Sequence, residues 1–176
     1  MAKTRLSAAD YVTFGYGQVE PNHLSAQVTG QIYAQLPLNK DIAVLENGMF
    51  AKYDYENNEV NFTGAGEWML AYNTPKLYDE DEVENDYAMK NNSYEANRAV
   101  VPASTVVVPR LFKTNVGDIF TTNTVKASEL SVGDILAPGA DGYLAIAGSD
   151  ATMKWEVVKV YTMPDMQKGV KIMRIA

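Results

Sequence analysis

The sequence predicts a mainly β protein: a compact β-barrel or β-sandwich preceded by an extended N-terminal arm. Short apolar runs recur at close spacing, and turns rich in Gly, Asn and Asp separate them. No segment has the apolar spacing of a helix of ten residues or more. The motif Val-Gly-Asp-Ile occurs twice, at 116–119 and 132–135, each time before an apolar run. Short strands joined by such turns are typical of barrels and sandwiches.

Composition narrows the classes of function. The chain has 176 residues, of which 47% are apolar, enough to build the core of one domain. It has no cysteine, which excludes disulfides and thiolate metal sites. A net charge of −7 disfavours direct binding of nucleic acid, which requires clustered Lys and Arg. Neither a secretory signal nor a membrane-spanning run of about 20 apolar residues is expected.

Residues 1–40 are predicted to form the extended N-terminal arm. The segment has no regular apolar period, and several glycines interrupt it. Its aromatic side chains are costly to leave in water, so the segment either lies along another molecule or packs back onto its own domain. Both alternatives remain open at this stage. The candidate partner-binding residues are Tyr11, Phe14, Tyr16, His23 and Tyr33, since tyrosine in particular is favoured at interfaces.

Residues 41–176 are predicted to form the β-rich domain. Apolar residues on both sides of Asn47-Gly48 predict a hairpin of strands 42–46 and 49–55 around a type I′ turn, with Gly48 at a position of positive φ. Further short strands are predicted at 60–62 and 67–74.

An acidic loop is predicted at about 75–98. Six of the eight residues 79–86 are Asp or Glu. Such a run is typical of a solvated surface loop, while a cation site or a contact for a basic neighbour remain alternatives. No EF-hand sequence is present in the chain.

The second half of the domain is predicted to consist of short strands that follow tight turns. A β-branched run at 105–108 lies between two prolines, which predicts a short or peripheral strand. In the repeated motif the glycine suits an unusual φ and the aspartate can bond nearby backbone N–H groups, so we expect turn residues rather than ligands. These residues are Gly117, Asp118, Gly133 and Asp134.

The C-terminal part is predicted to contain two hairpins. The first turns at Asp141-Gly142. The second joins strands 154–163 and 170–175 through a turn at 165–169. In the first of these strands Trp155, Val157, Lys159 and Tyr161 are expected to share one face.

The sequence contains no catalytic motif. Its one histidine, His23, lies in a polar context, and no nucleophile elbow, phosphate-binding loop or dinucleotide fingerprint is present. A zinc site would need three carboxylates beside that histidine, which is unusual. We therefore expect no enzyme activity, no cofactor and no metal.

Several stretches together resemble small virion structural proteins of tailed bacteriophages, more narrowly the accessory head proteins of the decoration or cement type. The resemblance covers roughly residues 41–176 and does not extend to the arm. Its stretches, in chain order, are AVLENGMFAKYDY, TPKLYDEDE, PRLFKTNVGDIFTTNTV, VGDILAPGADGYLAI and WEVVKVYTMPDMQKGVKIMRI.

The resemblance implies a structural protein that binds the outside of a phage capsid and stabilises the shell. Its implied partners are the major capsid protein and further copies of itself, with a trimer favoured, and its implied location is the virion, assembled in the host cytoplasm. It implies no direct contact with nucleic acid or membrane. A head-fibre or tail-associated protein that contacts the host surface remains the alternative, and an unrecognised enzyme is a third.

Overall fold

The computed structural model of the chain describes residues 17–42, 44–73, 88–90, 107–163 and 167–176. In this part the backbone forms thirteen β-strands and one five-residue helix, which confirms the mainly β class. The helix is α1 (Ser25–Thr29). The strands are β1 (Val19–His23), β2 (Ile32–Tyr33), β3 (Val44–Glu46), β4 (Phe50–Asp54), β5 (Glu59–Asn61), β6 (Met69–Ala71), β7 (Ala88–Lys90), β8 (Leu111–Phe112), β9 (Ile119–Thr122), β10 (Ile135–Pro138), β11 (Leu144–Ile146), β12 (Trp155–Thr162) and β13 (Lys168–Arg174).

The strands form two larger antiparallel sheets and one small one. The six-stranded sheet has the order β1-β9-β13-β12-β10-β11, and the five-stranded sheet has the order β2-β8-β6-β4-β5. Strands β3 and β7 pair separately. Within the described ranges, no strand pairing closes either larger sheet into a barrel.

The main apolar core is shared by the two larger sheets. Phe50 and Phe112 from the five-stranded sheet belong to the same buried cluster as Phe120 and Trp155 from the six-stranded sheet. The Phe120 and Trp155 rings meet edge to face with their centroids 5.0 Å apart. All four side chains are at most 1% exposed, so the core holds the two sheets together.

The first Val-Gly-Asp-Ile copy ties the start of β9 to the end of β13. The Gly117 N–H donates to the Arg174 carbonyl at 2.9 Å, and the Arg174 N–H donates to the Asp118 carbonyl at 2.9 Å. Ile119 then pairs with Met173 in register. Gly117 has a φ of +93°, a left-handed value that favours glycine. The turn therefore begins a strand and fixes its register on a neighbour at the same time.

The second copy repeats this arrangement on the adjacent strand. The Gly133 N–H donates to the Val157 carbonyl at 2.8 Å, and the Val157 N–H donates to the Asp134 carbonyl at 2.8 Å. Gly133 has a φ of +94°. Because β12 and β13 are themselves antiparallel, the two units are related by a local two-fold axis through the Glu156–Met173 pair. The sequence repeat is thus a structural repeat of four strands, β9-β13-β12-β10.

The described part of the predicted arm belongs to the domain. Within residues 17–40, β1 pairs with β9 and β2 pairs with β8. Leu24, Ala26 and Leu38 are buried in the apolar clusters. An extended arm is therefore wrong for residues 17–40, because their backbone completes the edges of both sheets. Residues 1–16 lie outside the described residues.

The hairpin predicted around Asn47-Gly48 is wrong, and the turn there is not of type I′, because Asn47 lacks the positive φ which that type requires. Gly48 has a φ of +92°, but β3 pairs with β7, while β4 pairs with β5 and β6. The turn is held by another segment, since the Gly48 N–H donates to the Ala71 carbonyl at 3.0 Å. The two flanking strands, β3 and β4, therefore pair with other strands and not with each other.

Two further predictions need correction in their bounds. The strand expected at 105–108 is not formed by Val107 and Val108, and β8 instead begins after Pro109, because proline lacks the N–H that a ladder needs. Most of the predicted acidic loop, 75–98, lies outside the described residues, but its residues 88–90 form strand β7.

The other predicted strands are present with small changes in their bounds. They correspond to β5, β6, β12 and β13, and the predicted turn at Asp141-Gly142 joins β10 to β11. A bulge between Val157 and Lys159 interrupts the expected alternation in β12. Trp155 and Val157, before the bulge, lie on the buried face, whereas Lys159, after it, is exposed, so the four residues do not share one face as predicted.

Candidate functional site

The N-terminal side of the described chain is fixed inside the domain. The Gly17 N–H donates to Glu46 Oε1 at 3.3 Å, and the Gln18 N–H donates to Asn123 Oδ1 at 2.8 Å. The Thr122 hydroxyl donates to the Gln18 carbonyl at 2.7 Å. The backbone at Gly17 and Gln18 is therefore held by side chains from two distant segments.

These contacts belong to a buried polar cluster that we call the polar junction. Its members are Gly17, Gln18, Glu46, Asn47, Thr122, Asn123, Thr124 and Gln167. Thr122, Asn123 and Thr124 are 0% exposed. The Thr124 hydroxyl donates to the Asn47 carbonyl at 2.6 Å, and the Asn123 amide donates to Gln167 Oε1 at 2.9 Å. Hydrogen bonding offsets the cost of burying these polar groups.

Close packing at the polar junction leaves no room for a side chain at Gly17. A Cβ atom there would lie 2.5 Å from the Asn47 carbonyl oxygen and 2.7 Å from Thr124 Oγ1. Such distances are far below van der Waals contact, so any larger residue would displace the chain. The first sixteen residues of the sequence therefore join the domain at a tightly packed position, Gly17.

Asp118 holds α1 against the first repeated turn. Its Oδ1 accepts from the Ser25 N–H at 2.9 Å, and its Oδ2 accepts from the Ser25 hydroxyl and the Asn115 N–H, both at 2.9 Å. The helix lacks its own cap because the N-cap position is Leu24. Asp118 supplies that cap from a distant position in the chain, and it is only 2% exposed.

The second aspartate has a simpler environment. Asp134 is half-buried, and its Oδ2 accepts from the Ser131 N–H at 2.7 Å. The two turns therefore share their backbone geometry and differ in what packs against the aspartate.

An open acidic cleft of about 550 Å³ lies at the β5 edge of the five-stranded sheet. Its lining combines carboxylates, amides and two aromatic rings, and the lining residues within the described ranges include no basic one. The acidic members are Asp41, Asp54, Glu59 and Asp141, the amides are Asn39, Asn57 and Asn61, and the rings are Phe62 and Tyr143.

Hydrogen bonds from side-chain amides hold Asp54 and Glu59 in place within the cleft. The Asn57 side chain donates to Asp54 Oδ2 at 2.9 Å, and the Asn61 side chain donates to the same oxygen at 2.9 Å. Chiefly through Asn57, these bonds lower the pKa of Asp54 to about 2. Glu59 Oε1 accepts from the Asn39 and Asn61 amides at 2.6 and 3.0 Å. Asp141 differs because Lys126 is its ion-pair partner.

The predicted partner-binding residues do not come together in the described structure. His23 is exposed at the end of β1, in the six-stranded sheet. Tyr33 is half-buried in the five-stranded sheet, where its ring meets Tyr53 edge to face at 5.5 Å. Tyr33 therefore packs on its own domain. Tyr11, Phe14 and Tyr16 lie outside the described residues.

Sequence reasoning missed both the polar junction and the acidic cleft. The junction residues Thr122 to Thr124 follow an apolar pair and resemble an exposed strand end, because nothing local indicates the segments that cover them. The cleft had a weak signal: Asp54 is followed by Asn57, Glu59 and Asn61, a pattern of turn residues that bond one another.

Comparisons of the chain with family models, with curated proteins and with solved structures found no match. The described residues contain no group of three or more His, Asp or Glu side chains placed to hold a metal ion. No helix in this part of the chain is long and apolar enough to cross a membrane.

Proposed function

We propose that this protein is a structural virion protein of a tailed bacteriophage, which binds the outside of the capsid as a decoration or cement protein and stabilises the shell without catalysis. The resemblance over residues 41–176 supports the class of protein. The observation that carries the mode of binding is the fixed attachment of the chain at Gly17 in the polar junction. If the residues before Gly17 bind a partner, this rigid attachment holds the whole domain to that partner.

In this proposal the residues before Gly17 contact the major capsid protein. They include Tyr11, Phe14 and Tyr16, and aromatic residues of this kind are enriched at the centres of interfaces. His23 and Tyr33 lie on the domain itself, so they are secondary candidates. We therefore propose an arm for residues 1–16 alone, in place of residues 1–40.

The finer architecture that we propose is a β-sandwich, because side chains from both larger sheets share one core. We further propose that the protein is a homo-oligomer, with a trimer favoured by the resemblance. Its proposed location is the virion, assembled in the host cytoplasm.

Co-sedimentation with purified empty heads of the phage that encodes the protein tests this function. We expect the full chain to pellet with the heads at a fixed ratio. A truncation that begins at Gly17 should remain folded by circular dichroism and stay in the supernatant. Replacement of Tyr55, which is 67% exposed on the domain, by alanine is the matched control and should bind normally.

Two results would count against the proposal. If the full chain ignores heads but binds host cells or cell-wall polymer, the protein is a fibre or tail-associated protein instead. If the truncation binds heads as well as the full chain does, the domain surface and not residues 1–16 makes the contact.

A further inference from the structure

The residues before Gly17 join the domain beside the acidic cleft. The Gly17 N–H donates to Glu46 Oε1 at 3.3 Å, and Glu46 Oε2 accepts the Tyr143 hydroxyl at 2.8 Å. Tyr143 is one of the residues that line the cleft. A single buried carboxylate therefore lies between the cleft wall and the point where residues 1–16 are attached.

The acidic cleft carries negative charge that its surroundings leave unbalanced. Asp41 is exposed, and among the described residues its carboxylate has no ion-pair partner. Glu59 accepts both of its amide bonds on Oε1, which leaves Oε2 for an occupant of the cleft. Residues 39–63 supply most of the lining and carry five acidic and two basic side chains. The two basic ones, Lys40 and Lys52, do not line the cleft.

The acidic cleft also offers apolar surface. Four of its apolar or aromatic lining side chains are half-buried, so part of their area is still in contact with water: Ile42, Val44, Phe62 and Tyr143. An occupant that brings both positive charge and apolar side chains would match the two features of this lining.

The first nine residues of the chain have this chemistry. The stretch MAKTRLSAA contains Lys3 and Arg5, the apolar Leu6 and no acidic side chain. Lys3 precedes Gly17 by fourteen positions, and an extended chain of that length spans about 46 Å. Because the chain is attached beside the cleft, its reach is sufficient. A short tether also raises the effective concentration of a segment to about the millimolar range.

We propose that, in the free protein, residues 1–9 bind the acidic cleft of their own chain, with Lys3 and Arg5 beside Asp41 and Glu59. The tether at Gly17 favours this contact over the same contact with a second molecule. In the proposed function residues 1–16 contact the capsid, so the contact with the cleft is autoinhibitory and must open when the protein binds heads. Only this last consequence rests on the proposed function.

A nitroxide label in the full chain tests the contact by NMR. The chain has no cysteine, so Thr4→Cys places a single label between the two basic residues. At low salt, the backbone amides of Asp41 and Thr63 in the cleft should lose most of their peak intensity relative to the reduced label. The amides of Ser149 and Asp150, which do not line the cleft, should keep theirs.

Two changes to the sample identify the nature of the contact. Lys3→Glu with Arg5→Glu in the labelled chain should restore the intensities of the cleft amides, and so should raised salt, since exposed charges are screened over about 8 Å at physiological ionic strength. A mixture of isotope-labelled chain without nitroxide and unlabelled chain with nitroxide should show no loss, because the contact lies within one chain.

A matched pair of cleft and control variants separates this contact from a general effect of charge. Asp41→Asn with Glu59→Gln removes two charges while keeping the shapes of the side chains, and it should restore the intensities of the cleft amides. Glu129→Gln with Asp150→Asn removes the same charge from exposed positions outside the lining and should leave the loss unchanged.

Three results would overturn the inference. The first is unchanged intensity at the cleft amides of the labelled chain. The second is a loss in the mixture, which would make a second copy the occupant. The third is a control variant as effective as the cleft variant. None of these measurements involves heads, so a chain that occupies its cleft but ignores heads refutes only the capsid-binding proposal. A chain that binds heads without any loss at the cleft refutes only the contact proposed here.

Discussion

Replacement of Asp118 by alanine should destabilise the protein far more than the same change at Asp134. The two aspartates occupy equivalent positions in the repeated turn, so each serves as the control for the other. Both substitutions remove the carboxylate that accepts the first backbone N–H of the turn. Only Asp118→Ala also removes the cap of α1, since Ser25 bonds to that carboxylate through its N–H and its hydroxyl.

The magnitudes follow from the number and burial of these bonds. Loss of a helix cap costs about 1 kcal/mol. Hydrogen bonds to a buried charged group cost about 1 to 3 kcal/mol when one partner is removed. Asp118 is 2% exposed, so we expect its alanine variant to lose about 3 kcal/mol of unfolding free energy. Asp134 is half-buried, and water replaces its single bond at a cost of about 1 kcal/mol.

Chemical denaturation followed by circular dichroism measures both variants on the same scale. For a chain of this length, a difference of about 2 kcal/mol corresponds to a melting temperature lower by about 4 to 8 °C for the Asp118 variant. Equal losses in the two variants, within about 0.5 kcal/mol, would refute the reasoning. That result would mean that the contact between Asp118 and Ser25 adds nothing to the shared turn.

Two further outcomes are expected. Gly48→Ala should lower the free energy of unfolding by about 2 kcal/mol or more, because φ is +92° and a Cβ would lie 2.4 Å from a threonine hydroxyl. Gly117→Ala has the same strained φ, +93°, but open space around the Cβ, so it should lower that free energy by about 1 kcal/mol, and equal losses in denaturation would contradict the steric argument. The Asp54 carboxyl should titrate near pH 2 by NMR, and Asn57→Ala should move its titration midpoint toward 3.8. Because folding lowers this pKa, the resulting stabilisation is present above pH 3.8 and is lost as the pH falls through about 2; a midpoint near 3.8 in the unchanged protein would contradict this.

The local features of the fold were predictable from the sequence. A tight turn needs glycine at positive φ and an aspartate that bonds the backbone, and both requirements appear as adjacent letters. Gly117, Gly133 and Gly142 all have positive φ, and a strand follows each turn closely. Strand β12 was also predictable, because its alternation of side chains is written in consecutive residues. Its bulge was not, since a bulge depends on the register with β13.

The features that the sequence left open depend on distant segments. The chain turns at Asn47-Gly48, but only Gly48 of the two has a positive φ, and the segment containing Ala71 separates the two flanking strands. Residues 17–40 lack any periodic pattern of their own, because they complete edges that other strands provide. The acidic cleft is likewise assembled from several separate segments, so no single stretch shows its shape. Spacing along the chain cannot reveal which segment will cover a given polar residue.

The repeated motif shows how one local sequence acquires two roles. Both copies begin a strand and fix it to an antiparallel neighbour through the same pair of backbone bonds. The local two-fold axis relates the backbones of the two units, but α1 packs against only the first. Asp118 thereby links the N-terminal part of the domain to its central sheet, while Asp134 remains a turn residue. The difference between two identical tetrapeptides therefore comes from the segments that pack against them, and the comparison of Asp118→Ala with Asp134→Ala measures it directly.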